Sequence, residues 1–381
     1  MGHIRKRGEN SWEITISAGT DPITGKRKRI YENVTGTKTE AKKRMREIEY
    51  KLEYGTYVEP SNLTLEEFLL QWLEDYCEHN LAPSTLETYE IIVKTHVIPI
   101  LGSIKIANLK AMHIKRYLSH KLKDGRKDGK KGGLSKKTVK RHYTTLNTAL
   151  NHAVKWEMLE NNPADKISPP KGEKSEIEAL TKKQLYKLLE VAEGWIYDFI
   201  YIAAFTGMRR GELLALRWKD IDFENQKLQV KQSVTRPANK GLVFRKPKTD
   251  SSIRPIDVDE DVIKILKRRN KEQKENRLKF GPEYNNEYNL VFCREDGTPF
   301  NPRYATRSFN KVAKKVNLEK FRLHDLRHTH ATLMLKAGIH PKIVQERLGH
   351  ASITQTLDTY SHIIPSMQKE AVQKLKNSLK Q

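Results

Sequence analysis

The chain has 381 residues and carries 71 Lys and Arg against 47 Asp and Glu, a formal charge of +24. That balance points to a polyanionic partner, and a 37% hydrophobic fraction is enough for real cores in two or three domains. No apolar run approaches membrane-spanning length and no secretory leader is evident, so the expectation is a cytoplasmic protein with no membrane role. Cys77 and Cys293, far apart in sequence, argue for a reducing compartment and against a disulfide framework or a Cys-based zinc site.

Residues 1–36 read as strands. Trp12-Glu13-Ile14-Thr15-Ile16 alternates apolar and polar, Asp21-Pro22-Ile23-Thr24-Gly25 is a turn, and Lys26 to Tyr31 returns as a basic strand. A strand of that kind is either an edge guarded by lysine or a surface for a DNA groove, and the sequence leaves both open. Thr37-Lys38-Thr39-Glu40 is a capping box that opens a helix running to about Gly55. The first domain, 1–58, is therefore expected to be a small β-sheet plus a helix.

Residues 61–165 switch to helical periodicity and form an expected all-helical domain. Thr64-Leu65-Glu66-Glu67 and Ser84-Thr85-Leu86-Glu87 read as two further capping boxes. Phe68, Trp72 and Tyr76 recur every four residues, the spacing of a buried helix face. Another helix starts near Ser135 and carries Tyr143, Leu146, Leu150 and Trp156. Between Lys110 and Arg141 stand 13 Lys or Arg and 2 Asp, a net 13 − 2 = +11, interrupted by Gly125, Gly129, Gly132 and Gly133. The run contains a flexible basic loop and suits phosphate contact, because each neutralised phosphate releases counterions.

Asn161-Asn162-Pro163 closes that domain, and 166–179, with Pro169-Pro170-Lys171-Gly172, reads as a linker. Thr181 to Gln184 caps the next helix, whose inner face is Leu185, Leu188, Leu189 and Ala192; Trp195 to Ala204 is a strongly apolar helix. Leu228 to Val230 and Ile253 to Val258 read as strands with Gly241 in a turn between them, and helices return from Asn301. This gives a third domain over 180–365, mostly helical with a small antiparallel sheet, and a tail helix over 366–381. The expected class is multidomain α+β.

Chemistry concentrates in the third domain. Arg209 precedes Glu212 by three, a spacing that brings a carboxylate to a guanidinium. His324 and Arg327 repeat the spacing at the head of a helix. His324, His328 and His330 also raise the question of a metal, but Asp325 stands where the metalloprotease motif needs Glu, and carboxylate partners downstream are lacking. His350 ends Arg347-Leu348-Gly349-His350, where Gly349 is placed to terminate a helix; alone, such a histidine reads equally well as a helix-end cap. Tyr360, one of 15 tyrosines, reads equally well as core. What distinguishes these residues is that they occur in one order within one domain.

Taken together, the sequence resembles the phage-integrase family of tyrosine recombinases. The matching pieces are Thr206-Gly207-Met208-Arg209-Arg210-Gly211-Glu212, Lys246-Pro247-Lys248-Thr249 with Ser252 and Arg254, His324-Asp325-Leu326-Arg327-His328-Thr329, Leu348-Gly349-His350 and Asp358-Thr359-Tyr360-Ser361-His362. The resemblance implies an arm-type DNA-binding domain, a core-binding domain and a catalytic domain, in that order. It implies Tyr360 as nucleophile on a DNA phosphodiester, with Arg209, Arg327 and His350 around the phosphate, His324 assisting the phenol, Lys248 as general acid and Glu212 and Asp325 in support. Lys246 is a nearby competitor for the role of Lys248. No metal and no nucleotide cofactor are implied. The implied partners are double-stranded DNA at core and arm attachment sites, three further copies in a DNA-bound tetramer, and an excisionase or host DNA-bending protein. The apolar stripe Ala371, Val372, Leu375 and Leu379 fits packing on its own domain, whereas the family comparison favours docking on a neighbouring protomer. The alternatives are a chromosome-dimer-resolving recombinase, against which the N-terminal sheet domain argues, a type IB topoisomerase, and a non-catalytic DNA-binding regulator.

Overall fold

The computed structural model describes residues 2–20, 25–59, 61–172, 178–237, 241–246 and 252–360, except for the side chains of 355 and 358–360. The chain divides into two compact units, Met1–Glu173 and Lys174–Gln381. Among the described residues no helix is long and apolar enough to cross a membrane.

The first unit contains two separate hydrophobic cores. Strands β1 (Gly2–Gly8), β2 (Ser11–Thr20) and β3 (Arg27–Thr35) form an antiparallel sheet in the order β1-β2-β3. Directly opposed residues share a face, and the register sets Ile4 against Ile14 and Ile16 against Ile30. Helix α1 (Lys38–Glu53) covers that face, burying Ile14, Ile16, Ile30 and Ile48 together. Thr37 and Glu40 cap α1 reciprocally, as their spacing predicts. The other face carries His3, Arg5, Thr15, Ser17, Arg29 and Tyr31, and Tyr31 is 63% exposed. The basic strand is thus an edge strand whose arginines also line an open face.

The second core is helical. Helix α2 (Leu65–Trp72) continues through a π-helical turn (Leu73–Cys77) into α3 (Glu78–Asn80). Then follow α4 (Pro83–Glu90), a π-helical stretch (Ile91–Val97), α5 (Ile98–Leu101), α6 (Ala111–Asp124) and α7 (Lys136–Lys155). Thr64 and Glu67 form the expected box. Phe68 and Trp72 are fully buried, and the Trp72 indole donates to His152 Nδ1 at 2.7 Å while stacking on Tyr89. Those aromatics are core.

One expectation fails here. Ser84 to Glu87 is not a capping box: Pro83 occupies the first helical turn of α4, Ala82 is the N-cap, and no side chain caps it. The fixed φ of proline starts the helix before Ser84, which leaves the serine inside it. The basic run is helical at both ends, in α6 and α7, and carries its four glycines in the loop between them. Lys121 contributes nothing to the surface charge: it is 2% exposed, with its ammonium over the Tyr117 ring.

The second unit is built around α9 (Gly194–Thr206), whose Phe199, Ile200 and Ile202 are fully buried, after α8 (Lys182–Glu190) with its Thr181–Gln184 box. A short α10 (Arg210–Leu214) leads to two small antiparallel sheets. One is ordered β4 (Ile221–Asp222), β5 (Lys227–Val230), β8 (Arg254–Asp257); the other pairs β6 (Ser233–Thr235) with β7 (Val243–Arg245). Helices α11 (Glu260–Phe280), α12 (Pro302–Lys315), α13 (Asp325–Lys336), α14 (Pro341–Leu348) and α15 (Ile353–Tyr360) complete it. The multidomain α+β class expected from the sequence is the one observed.

Candidate active site

The apolar helix α9 ends at Gly207, in the left-handed region at φ +66°. A Cβ there would lie 2.7 Å from the His330 ring and 2.8 Å from Leu348, so both backbone and space demand glycine. The turn delivers Arg209 as the N-cap of α10, in extended conformation. Glu212, 3% exposed, accepts from the Arg209 backbone N–H at 3.0 Å and from its guanidinium at 2.7 Å. The three-residue spacing therefore works through a capping box whose carboxylate is buried.

Arg327 lies in the first turn of α13 and is 3% exposed. Its guanidinium donates to the Gly207 carbonyl at 2.8 Å and to the Leu348 carbonyl at 2.7 Å. Helix α14 stops at Gly349, again at φ +66°. The three carbonyls at this helix end are each met by a different arginine. Arg254 Nε donates to Arg347 O at 2.6 Å, Arg327 to Leu348 O, and Arg209 to Gly349 O at 3.3 Å. A helix C-terminus leaves its last carbonyls unbonded and negatively polarised, and guanidinium groups meet both needs.

His350 follows at once, 7% exposed, with Nδ1 bonded to Thr356 Oγ1 at 2.8 Å. Thr356 is in α15, which Tyr360 closes four residues later. Burial, then the charges of Arg327 and Arg209, push the His350 imidazole down to about 3, so it is neutral at ordinary pH. His324 is the N-cap of α13, its ring edge-on to His328 at 5.1 Å; burial and the Arg327 charge lower its affinity for a proton. Burial raises the Glu212 carboxyl, but Arg254 and Arg209 outweigh it and hold the group ionised.

The structure thus gathers Arg209, Glu212, Arg327 and His350 on one helix end, with His324 beside Arg327. Asp325 does something else: it pairs with Arg322 at 2.9 Å and accepts from the Arg322 backbone at 2.7 Å, fixing the start of α13. Lys248 and Thr249 lie outside the described residues, as do the Ala371 to Leu379 stripe and most of the Asp21 to Gly25 turn. The backbone of Tyr360 is placed, at the end of α15. The sequence assigned Arg254 and Arg347 no role beyond the motifs that contain them, and it did not single out Thr356. His330, weighed as a metal ligand, bonds the Ala204 carbonyl through Nδ1 at 2.8 Å and accepts from Arg347 Nε at Nε2, at 3.0 Å, so both ring nitrogens are committed within the protein. A cleft of about 690 Å³ lined by Trp195, Glu272, Cys293, Phe300 and Tyr304 lies in the same unit but holds none of these groups.

This constellation of buried guanidiniums and a neutral histidine at a helix end, beside a helix closed by tyrosine, sits in a helical domain with small antiparallel sheets. Residues 178–366 match the phage integrase family, and residues 64–122 match its N-terminal SAM-like domain. The chain is 31% identical to a tyrosine recombinase XerC-like protein of Caldanaerobacter subterraneus subsp. tengcongensis, over 97% of each chain. It is 28% identical to the ICEBs1 integrase of Bacillus subtilis, over 99% of this chain and 100% of that one. Among solved structures, the Tn1549 transposon integrase in complex with transposon right end DNA superposes with a TM-score of 0.67 at 26% identity, covering 81% of this chain and 100% of that chain. The chain belongs to the phage integrase family. It is a tyrosine site-specific recombinase, an enzyme of DNA integration and recombination.

Proposed function

We propose that this enzyme integrates and excises a mobile element through a 3′-phosphotyrosine intermediate. The observation that carries the reading is the shared helix end. It collects Arg209, Arg327 and His350, and a His350–Thr356 bond ties it to the helix that Tyr360 closes. Similarity to the ICEBs1 integrase and to the integrase of Mycobacterium phage D29 supports the mobile-element assignment.

In this scheme the Tyr360 oxygen attacks phosphorus. The bond to the 5′-bridging oxygen breaks, and DNA is left joined through its 3′-phosphate to the phenol. A free phenol has a pKa of about 10, so its proton needs an acceptor. His324, neutral at ordinary pH, accepts it. Arg209 and Arg327 stabilise the charge on the non-bridging oxygens, each with a planar fork that lysine lacks, and His350 adds a donor through Nε2. Neutral His350 has one ring proton, and Thr356 Oγ1 accepting or donating at Nδ1 decides where it sits, so donation to phosphate requires Thr356 to donate. Lys248 protonates the leaving 5′-oxygen. Glu212 holds Arg209, and Asp325 holds the start of α13. A second 5′-hydroxyl then attacks the phosphotyrosine, releasing Tyr360 and rejoining the strand. The linkage conserves the bond energy, and no step of this scheme calls for a nucleotide.

Exchange of two duplexes takes four such sites, so the working form is a homotetramer on double-stranded DNA. A lambda integrase tetramer bound to a Holliday junction shares the fold of this chain, with a TM-score of 0.56. We assign 1–58 to arm-site binding, 61–165 to the core site, 166–179 to a linker, 180–365 to catalysis and the 366–381 tail to contact with a neighbouring protomer. An excisionase or host DNA-bending protein sets direction, and the bacterial nucleoid is where the enzyme meets its substrate. The open face of the β1-β2-β3 sheet presents Arg5, Arg27 and Arg29 to arm-site DNA. The test is a nicked duplex bearing the element's own end. Wild-type protein forms an SDS-resistant adduct that maps to Tyr360, and Tyr360→Phe binds the duplex without forming one. An adduct with the Phe variant would overturn the reading.

A further inference from the structure

Arg254 is the more buried of the two arginines in a three-residue ionic cluster with Glu212 and Arg209. It opens β8, opposite Val230 of β5, and is 5% exposed. Its Nη2 donates to Glu212 Oε2 at 2.9 Å, and Nη1 approaches Oε1 at 3.5 Å. Nη1 also donates to the Ser252 carbonyl at 3.0 Å, while Nε donates to Arg347 O at 2.6 Å. The guanidinium lies so close beneath Gly349 that a Cβ there would stand 2.9 Å from Nη1. One side chain therefore ties together the carboxylate that holds Arg209, the helix end that presents His350, and the Ser252 carbonyl four residues beyond Lys248.

Counting charge shows what this adds. Glu212 alone with Arg209 is a neutral pair, and a neutral pair attracts a phosphate weakly. Arg254 brings the buried cluster to (+1) + (+1) + (−1) = +1. Of the two guanidiniums, the Arg254 side chain is 6% exposed and that of Arg209 is 36%, so the surplus is offered at the open Arg209 side. The field of a buried charge is little screened, so the difference between 0 and +1 beside a phosphate is large.

We infer that Arg254 is a positioning residue for strand cleavage: it offsets Glu212, so that Arg209 meets the scissile phosphate with its positive charge uncancelled. The inference rests on the phosphotyrosine reading above and goes beyond it, because Arg254 acts through Glu212 without touching DNA.

The experiment measures single-turnover adduct formation, and separately duplex affinity, on the nicked element-end duplex with either a phosphodiester or a neutral methylphosphonate at the scissile position. Arg254→Met is expected to slow phosphodiester cleavage about tenfold or more, with affinity changed less than about threefold. On the methylphosphonate, which has no charge to match, the loss falls below about threefold. Adding Glu212→Gln to Arg254→Met removes the uncompensated carboxylate, so the double variant cleaves the phosphodiester about threefold or more faster than Arg254→Met. Arg254→Lys, which keeps the charge, falls between Met and wild type. If Arg254 were only a structural staple, both duplexes would lose alike and Gln would restore nothing. Either result overturns the inference. Should Arg254→Met not be recovered folded, the double variant, which leaves no buried charge unpaired, is compared with Glu212→Gln alone: cleavage alike within about threefold supports the inference, because without the carboxylate Arg254 has nothing to offset, and a further loss of about tenfold or more overturns it. A wild-type protein that made no adduct on the phosphodiester would overturn the parent reading instead, and this one with it.

Discussion

Arg327 donates to the carbonyl of Leu348 at 2.7 Å, across 21 residues of chain. The same guanidinium reaches the Gly207 carbonyl, so it joins the end of α9 to the end of α14. Arg327→Ala leaves both buried carbonyls without this donor, at about 1–3 kcal/mol each. We expect a lower urea midpoint together with complete loss of adduct. Arg327→Lys serves one carbonyl at most, so it should recover part of the stability and little of the chemistry. An Arg327→Ala protein with the wild-type midpoint would show that these bonds do not hold the site.

Thr356→Val removes the hydroxyl bonded to His350 Nδ1 while keeping the shape of the buried side chain. His350 then loses what fixes its ring and its tautomer. The expected result is slower cleavage, about tenfold, with unchanged affinity for the nicked duplex. Unchanged cleavage would mean that the bond packs the helix and does not orient the imidazole.

The sequence made the motifs legible where partners are local. Thr37 with Glu40, Thr64 with Glu67 and Arg209 with Glu212 are each three residues apart, and each pair meets. It concealed partners that only the fold brings together: Arg254 finds Glu212 across 42 residues, and Arg327 finds Gly207 across 120. Ser84 misled because Pro83 supplies a stronger start signal one position earlier. Lys121 misled because a lysine in a basic run reads as surface until its aliphatic stem is seen packed in a core.

Buried histidines set an acid limit on both units. In the first, burial and then the neighbouring His96 push His142 down to about 4; Lys121 and the Tyr117 hydroxyl also face it. In the second, burial and then Arg347 push His330 down to about 3. An unfolded histidine titrates near 6.5, so above that pH both states are neutral and stability is complete. Below it the unfolded chain binds protons that the folded one refuses, and stability falls with pH until the folded values are reached. Each histidine costs about 1.4 kcal/mol per pH unit in that window. Thermal melts should decline from about pH 6.5 downward. A melting temperature flat from pH 7 to pH 5 would show that these rings are protonated in the fold.

Gly349 meets two demands at once. Its φ of +66° costs an L-residue about 1–2 kcal/mol, and a Cβ would also press on Arg254, 2.9 Å away at Nη1 and 3.1 Å away at Cδ and Cζ. The Arg254 guanidinium is held by Glu212, Arg347 and Ser252 and has little room to give. Gly349→Ala should therefore lower stability by more than the backbone term alone and slow cleavage as well, because the displaced arginine no longer matches Glu212. Gly172→Ala, where a Cβ meets nothing within 4 Å and φ is ordinary, is the matched control and should change neither. Urea titration and adduct kinetics on the two variants give the comparison. A Gly349→Ala protein that loses only the backbone cost and cleaves normally would show that Arg254 tolerates displacement, and that the charge it brings need not sit where the structure places it.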